Sequence, residues 1–92
     1  MNKSELVNAI AKATGLTKAD AQRSLDAFID VVSKSLKKRQ SVRLVGFGTF
    51  TVSHRKARIG RNPQTGEEIR IPDRKVPVFR PGKELKHTVA SK

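Results

Sequence analysis

A polar, basic stretch from Ser53 to Lys75 constrains the fold of this chain more than any other feature. It holds seven Lys or Arg residues, three Asp or Glu residues and no aromatic residue. Apolar and basic residues alternate on both sides of a turn-forming run, Gly60–Gly66, which predicts two strands joined by a turn. A hairpin this polar has little apolar surface to bury. We therefore expect residues 53–75 to project from the body of the protein as an arm.

The rest of the chain is a small body that lacks covalent reinforcement. About 70 of the 92 residues remain outside the arm, and small bodies bury a low share of their surface. There is no cysteine, and the two histidines are far apart, so we expect no disulfide, no metal site and no cofactor. Oligomerisation is the remaining common source of core. We expect a homodimer, with a heterodimer formed with a paralogue as the alternative.

Residues 1–40 are predicted to form a helical hairpin. Asn2 and Thr17 each precede an acidic residue by three positions, which is typical of helix N-caps, and Gly15 between them suits a helix end. The apolar stripe of the second helix is wider than one neighbouring helix would cover, because Ala27 and Val31 extend it. Part of that stripe is expected to contact a second copy.

From Ser41 the hydrophobic period changes from helical to alternating. Residues 41–52 and 76–81 are predicted to form a three-stranded antiparallel sheet, with Pro77 at an edge or strand-end position. Residues 82–90 are predicted to form a short closing helix with Leu85 and Val89 facing inward. The fold class is α+β: a single domain over residues 1–92 whose protruding arm lies between the last two strands of the sheet.

All four aromatic residues lie outside the arm, at positions whose period predicts burial. Together with one leucine they form the predicted dimer core, which comprises Phe28, Leu44, Phe47, Phe50 and Phe79. Proteins that bind single-stranded nucleic acid without sequence preference stack bases on aromatic rings, and the arm has none to offer. Duplex is therefore the better expected ligand.

The net charge of +12 indicates a polyanionic partner, and residues 41–92 carry +8 of it. The arm cations can reach phosphates along a groove. They are Arg55, Lys56, Arg58, Arg61, Arg70, Arg74 and Lys75, and Asn62 in the turn joins them as a predicted DNA-binding residue. Pro63 has two interpretations, ordinary turn chemistry or an apolar wedge between base pairs.

Other functional classes find less support in the sequence. Glu67 and Glu68 would face opposite sides of a strand, and His54 has no evident nucleophile or orienting acid nearby, so we expect no enzyme. No apolar run approaches membrane-spanning length, and the N-terminus lacks the apolar core of a signal peptide, which favours the cytoplasm over a membrane. A basic RNA-binding or ribosome-associated protein is the rival interpretation, and a cationic scaffold for acidic proteins or membranes is a third.

Three spaced motifs resemble one known family. The runs Gly46–Phe50, Gly60–Gly66 and Phe79–Lys83 are similar to those of the bacterial histone-like HU and integration host factor family of DNA-bending proteins, and the resemblance extends from Met1 to Ala90. It implies an intertwined dimer whose two arms embrace duplex DNA through the minor groove, the architectural mode known for this family.

The resemblance also implies roles for individual residues. Pro63 matches the intercalating proline, and three arm arginines match residues that line the groove: Arg55, Arg58 and Arg61. Four cations match body positions that face the DNA backbone: Lys3, Arg80, Lys83 and Lys86. The return strand departs from the common pattern at Pro72, which can stiffen or bend the base of the arm, and at Asp73, which repels phosphate.

Within the family, the opening Met1–Leu6 and the short C-terminus look more like HU than like integration host factor. This implies a nucleoid-associated architectural protein that binds DNA with little sequence preference and bends and compacts it. Bent, nicked or gapped duplex is the expected preferred substrate, because its base pairs are already partly unstacked or unstack more easily than those of intact duplex. A site-preferring bender similar to integration host factor is the alternative.

Overall fold

The α+β class is confirmed by the structure, a computed structural model that describes residues 1–91. The chain forms two compact units, Met1–Lys34 and a second that begins at Ser35. In chain order the elements are α1 (Lys3–Thr14), α2 (Lys18–Lys37), β1 (Val42–Leu44), β2 (Gly48–Arg55), β3 (Arg58–Arg61), β4 (Glu68–Ile71), β5 (Arg74–Pro81) and α3 (Lys83–Ala90). The assignment of these elements to one domain stays a prediction.

The helix boundaries of the first unit follow from capping residues. The Asn2 side chain accepts a hydrogen bond from the Glu5 amide at 2.9 Å, and α1 ends at Gly15, whose φ of 78° is left-handed. The Thr17 hydroxyl accepts from the Asp20 amide at 3.1 Å and so caps α2. All three predicted caps are confirmed.

The core of the first unit is small. Val7, Ala11 and Ala21 are buried together, and Ile10 and Leu25 pack partly against them. Several larger apolar side chains of the two helices and of the segment between them stay substantially exposed in the single chain: Leu6, Leu16, Phe28, Ile29 and Val31. Exposed apolar surface on this scale is typical of an interaction face.

The second unit contains a three-stranded antiparallel sheet in the order β1-β2-β5. Since β5 pairs only with β2 in this order, it lies at an edge, which agrees with the position predicted for Pro77. The strand is longer than expected, because it begins at Arg74 and pairs with β2 from Arg55↔Arg74 to Gly48↔Pro81. The sheet therefore continues into the base of the arm.

The outer part of the arm is a separate two-stranded sheet, β3–β4, called the distal hairpin below. The predicted turn over residues 60–66 is too long at its start, since Gly60 and Arg61 lie in β3 and pair with Ile69 and Glu68. Pairing also continues one residue beyond β3, since the Asn62 amide donates to the Glu67 carbonyl at 2.8 Å. Strand-like pairing therefore extends up to the turn at the tip of the arm.

Helix α3 begins after Gly82, whose amide donates to the Phe47 carbonyl at 2.8 Å. Leu85 is half-buried as expected. The prediction that Val89 faces inward is wrong for this chain, because 77% of that residue is exposed. Leu85 and Val89 share a helix face, so only the first part of that face is covered. Within residues 1–91, no helix combines the length and apolar character needed to cross a membrane.

Candidate nucleic-acid interface

The strand register places four arginines on one face of the three-stranded sheet. Arg43 is paired with Thr49, and Thr49 with Arg80, so these three side chains share a face across the three strands. Alternation along β2 and β5 adds Arg55 and Arg74 to the same face. We call these four arginines, together with Thr49 between Arg43 and Arg80, the basic face. Of the four arginines, Arg43 was missed by sequence reasoning, because nothing in the local sequence pairs it with Arg80.

Arg55 and Arg74 stand directly opposite each other at the end of the β2–β5 ladder. Like charges at directly opposite positions destabilise an antiparallel pair. A bound phosphate would relieve that repulsion, since one anion can accept hydrogen bonds from both guanidinium groups. The structure thus brings together two of the arginines predicted to bind DNA, in an arrangement that favours an anion between them.

The opposite face of the sheet carries an aromatic cluster. The Phe79 ring lies with its centroid 4.9 Å from that of Phe50 and 5.2 Å from that of Phe47. Register places Leu44 on the same face as Phe50. The cluster remains open in the single chain, where Phe47 is 43% and Phe79 37% exposed. The structure therefore assembles four of the five predicted dimer-core residues without burying them.

Cations lie on both faces of the distal hairpin. Arg58 is paired with Ile71, whereas the neighbouring pair, Ile59 and Arg70, points to the other side. Arg61 follows Ile59 on that second side. The predicted arm cations therefore do not form a single stripe. They flank the hairpin, which suits a groove that has a charged wall on each side.

The tip of the arm is a hydrogen-bonded turn that presents a proline. The Asn62 side-chain carbonyl accepts from the Gln64 amide at 2.9 Å, and the Asn62 backbone carbonyl accepts from the Gly66 amide at 2.7 Å. Pro63 lies between these bonds and is exposed. Asn62, which sequence reasoning assigned to DNA binding, thus also holds the turn that displays Pro63.

The remaining predicted contacts are distributed over other elements. Lys56 lies in the short segment between β2 and β3, and Lys75 lies opposite His54, on the sheet face that carries the aromatic cluster. Lys83 and Lys86 are exposed and occupy positions three residues apart on α3, so they project from similar sides of that helix.

Lys3 belongs to the first unit, where its ammonium nitrogen lies 2.6 Å from a carboxylate oxygen of Asp26. Both side chains are about half exposed, so this pair contributes little to folding. A DNA phosphate would have to compete with Asp26 for the ammonium group. Lys3 is thus a candidate contact whose affinity for phosphate is lowered by its own carboxylate partner.

An interaction at the base of the arm was also missed. His54 Nε2 lies 3.3 Å from a carboxylate oxygen of Asp73, although sequence reasoning found no acid near this histidine. The two residues are 19 positions apart and meet only because β2 and β5 pair in this register. A motif read along the chain does not contain that information.

These features define a class of protein: a small basic α+β chain with a helical pair, an antiparallel sheet and a β-arm flanked by cations. Comparison with known proteins identifies the family. Residues 1–90 match the model of the bacterial DNA-binding protein family. The chain belongs to this family and is one of its HU-like members.

Relatives and solved structures agree over the full length. The chain is 55% identical over 89 residues to DNA-binding protein HU from Geobacillus stearothermophilus, covering 97% of this chain and 99% of the relative. It is 54% identical over 92 residues to DNA-binding protein HU 1 from Bacillus subtilis, with both chains fully covered. The structure of Anabaena HU crystallised with DNA superposes with a TM-score of 0.92 at 42% identity, again with both chains fully covered.

The resemblance stated from the sequence motifs is therefore confirmed, as is the classification of the chain as a DNA-binding protein. Membership in this family also agrees with the expectation that the chain is not an enzyme.

Proposed function

We propose that this protein is a homodimer that binds duplex DNA with little sequence preference, bends it and serves as an architectural component of the nucleoid. The observation that carries the proposal is the arm itself, in which cations flank both faces of the distal hairpin and an exposed proline occupies its tip. The minor groove of duplex DNA has a phosphate chain on each wall, so it matches that distribution of charge. Each arm would lie in the minor groove, with Pro63 toward the base pairs.

Phosphate neutralisation supplies the affinity in this proposal. Every phosphate contacted by Lys or Arg releases condensed counterions, which makes binding strongly dependent on salt. The basic face and the arm provide these cations in the second unit, and Lys83 and Lys86 add two more on α3. Because contacts to phosphate do not report base identity, binding through them has little sequence preference.

Association of two copies is supported by the exposed apolar residues. The aromatic cluster of Phe47, Phe50 and Phe79 remains open in the second unit, and Phe28 is 41% exposed in the first. A second copy would cover such surfaces, as the small body predicts. Sedimentation equilibrium is expected to give a mass twice that of the chain, and a mass equal to one chain would contradict the proposal.

Bending is assigned to Pro63. An apolar side chain that enters a base step unstacks it at a cost of about a few kcal/mol per step, and the bend that results lets the DNA contact more protein surface. Duplexes that are already bent, nicked or gapped have met part of this cost. They are therefore the preferred ligands in this proposal.

A mobility-shift comparison of intact, nicked and gapped duplexes of equal length tests the wedge. We expect the nicked and gapped duplexes to bind more tightly than the intact duplex at every salt concentration, because they unstack more easily. Double-stranded RNA serves as competitor and is expected to compete poorly, since its minor groove is wide and shallow. Equal affinity for intact and nicked duplex would show that the wedge account is wrong.

Replacing Arg58 with alanine tests whether the arm contacts phosphate. The slope of log affinity against log salt is expected to become less steep by about 0.9 for each lost contact on a duplex. Arg23→Ala is a matched control, because Arg23 is an exposed arginine of α2 whose guanidinium lies 3.6 Å from Asp20. If Arg58→Ala leaves the slope of the wild type unchanged, Arg58 lies away from the DNA.

A further inference from the structure

The C-terminal end of α2 has a backbone conformation that is unusual for the residue it contains. The Arg39 amide donates to the Leu36 carbonyl at 2.9 Å, and the Gln40 amide donates to the Ser35 carbonyl at 2.8 Å. These two hydrogen bonds form a Schellman motif, in which the residue at the position of Arg39 is left-handed and is usually glycine. Arg39 accordingly has a φ of 61°.

The arginine is strained at this position, and ending the helix does not require it. Helix α1 ends with the same conformation at Gly15, whose φ is 78°. Within residues 1–91, Arg39 is the only non-glycine residue with a positive φ, a region in which Cβ approaches the following carbonyl oxygen too closely. Lys37 and Lys38 already place cations at the negative end of the helix dipole. The strain therefore points to a role for the Arg39 side chain beyond helix termination.

Arg39 lies at the base of the arm, beside the three-stranded sheet. Lys75 of β5 is the register partner of His54 in β2, so these two residues lie side by side. Arg39 and both of them are exposed, and we call these three residues the arm-base patch. They line one surface cavity together with Thr51, Val52 and Asp73.

The cations of the arm-base patch are available to an anion. In the part of the chain that the structure describes, neither Arg39 nor Lys75 takes part in an ion pair. Asp73 repels an anion at this cavity, but its carboxylate is directed to His54, with 3.3 Å between Oδ2 and Nε2. A phosphate can accept charge-assisted hydrogen bonds from a guanidinium and an ammonium group together. The patch therefore suits a phosphate group.

The arm-base patch and the basic face lie on opposite sides of the sheet. Alternation along β2 places Arg55 on the basic face and His54 on the other face, where Lys75 stands beside it. Arg39 belongs to that second side, because it lines the cavity with His54 and Lys75. A duplex that rests on the basic face has the sheet between its phosphates and the patch. A phosphate bound to the patch must therefore belong to another stretch of duplex.

We propose that the arm-base patch is a second phosphate-binding site, which holds a separate segment of duplex DNA and so bridges it to the segment bound by the arms. The inference rests on the proposed function, because it takes binding of the first segment as given. Arg39 supplies the guanidinium group and Lys75 the ammonium group. Bending brings distant parts of one DNA molecule together, and a tethered segment has a high effective concentration at the patch, so a weak site is sufficient.

A capture experiment tests the bridge. A duplex fixed to beads is saturated with the full-length protein and washed, and a second, labelled duplex is then added. The wild type is expected to retain the labelled duplex, and Arg39→Ala to retain about two- to fivefold less, the range for one contact between exposed charges. Arg39→Lys keeps the positive charge and should retain most of it. Equal retention by Arg39→Ala and the wild type would overturn the proposal, as would a wild type that retains none.

Arg39→Gly separates this role from folding. Glycine adopts a positive φ without strain, so this variant should unfold at a urea concentration equal to or above that of the wild type. It should nevertheless retain as little labelled duplex as Arg39→Ala, and retention at the level of the wild type would contradict the proposal. Arg23→Ala is the matched control, because Arg23 is an exposed arginine of α2 that already has Asp20 as its partner. This control is expected to retain as much as the wild type.

A mobility-shift titration with one short duplex distinguishes this inference from the proposed function. If the wild type does not bind that duplex, the proposed function itself fails. We expect Arg39→Ala to bind it with the affinity and salt dependence of the wild type, because Arg39 lies on the other side of the sheet. A salt slope less steep by about 0.9 would instead place Arg39 on the duplex bound by the arms, and the bridging proposal would be wrong.

Discussion

Replacing Pro63 with alanine is expected to abolish most of the bend that the protein imposes on intact duplex, with a much smaller loss of affinity. The alanine keeps the hydrogen-bonded turn made by Asn62 but removes the rigid ring that we propose enters a base step. The surrounding cations are unchanged, so the phosphate contacts and the salt dependence should remain. Energy transfer between end labels measures the bend, and a mobility-shift titration on the same duplex measures the affinity.

Pro77→Ala is the matched control for this experiment. It makes the same chemical change in β5, an edge strand of the three-stranded sheet, away from the tip of the arm. Its bend should equal that of the wild type. If Pro63→Ala loses bending and affinity in equal measure, the grip on DNA is purely electrostatic, and Pro63 has no separate role as a wedge.

Replacing Gly48 with alanine is expected to lower the free energy of unfolding by about 2–3 kcal/mol, near the upper end of the usual cost of overpacking. A Cβ atom at this position would lie 2.6 Å from the Arg80 carbonyl oxygen and 2.7 Å from two atoms of the Phe79 ring. Neither neighbour can move freely, because the Arg80 carbonyl is part of the backbone of β5 and Phe79 contacts two other rings. Urea denaturation at a fixed protein concentration measures the effect.

Gly60→Ala provides the comparison, since it adds the same methyl group to a strand of the distal hairpin. There the nearest atom is the terminal carbon of the Ile71 side chain at 3.1 Å, which can rotate away. We expect a cost below about 1 kcal/mol for this variant. An unfolding midpoint of Gly48→Ala equal to that of the wild type would mean that β2 and β5 do not approach each other this closely.

The two variants separate the parts of the molecule that the proposed function needs. Gly48 allows β2 and β5 to pack closely in the sheet that carries the basic face. Its replacement is therefore expected to lower the stability of the fold and to affect DNA binding only through that loss of stability. Pro63 lies at the exposed tip of the arm, so its replacement should reduce the bending of DNA without changing the free energy of unfolding. A protein whose stable body carries a polar arm is expected to respond in this divided way.

The sequence by itself determined the features that depend on neighbouring residues. Asn2, Gly15 and Thr17 set the ends of the helices through hydrogen bonds that span only a few positions, and the structure confirms each of them. The polar, basic hairpin was also evident, because alternation and turn chemistry are local properties. Three spaced motifs were then sufficient to recognise the family.

Tertiary structure alone decided which distant residues meet. The pairing of β1, β2 and β5 placed Arg43 beside Thr49 and Arg80, and the same register brought Asp73 to His54. A shift of one residue in the pairing of a strand would move each of its side chains to the opposite face of the sheet. This register is fixed by packing and turn geometry across the whole sheet. For that reason the sequence predicted an arm that binds DNA, and only the folded chain showed which face of the three-stranded sheet carries Arg43 and Arg80 and where the ladder of the arm is interrupted.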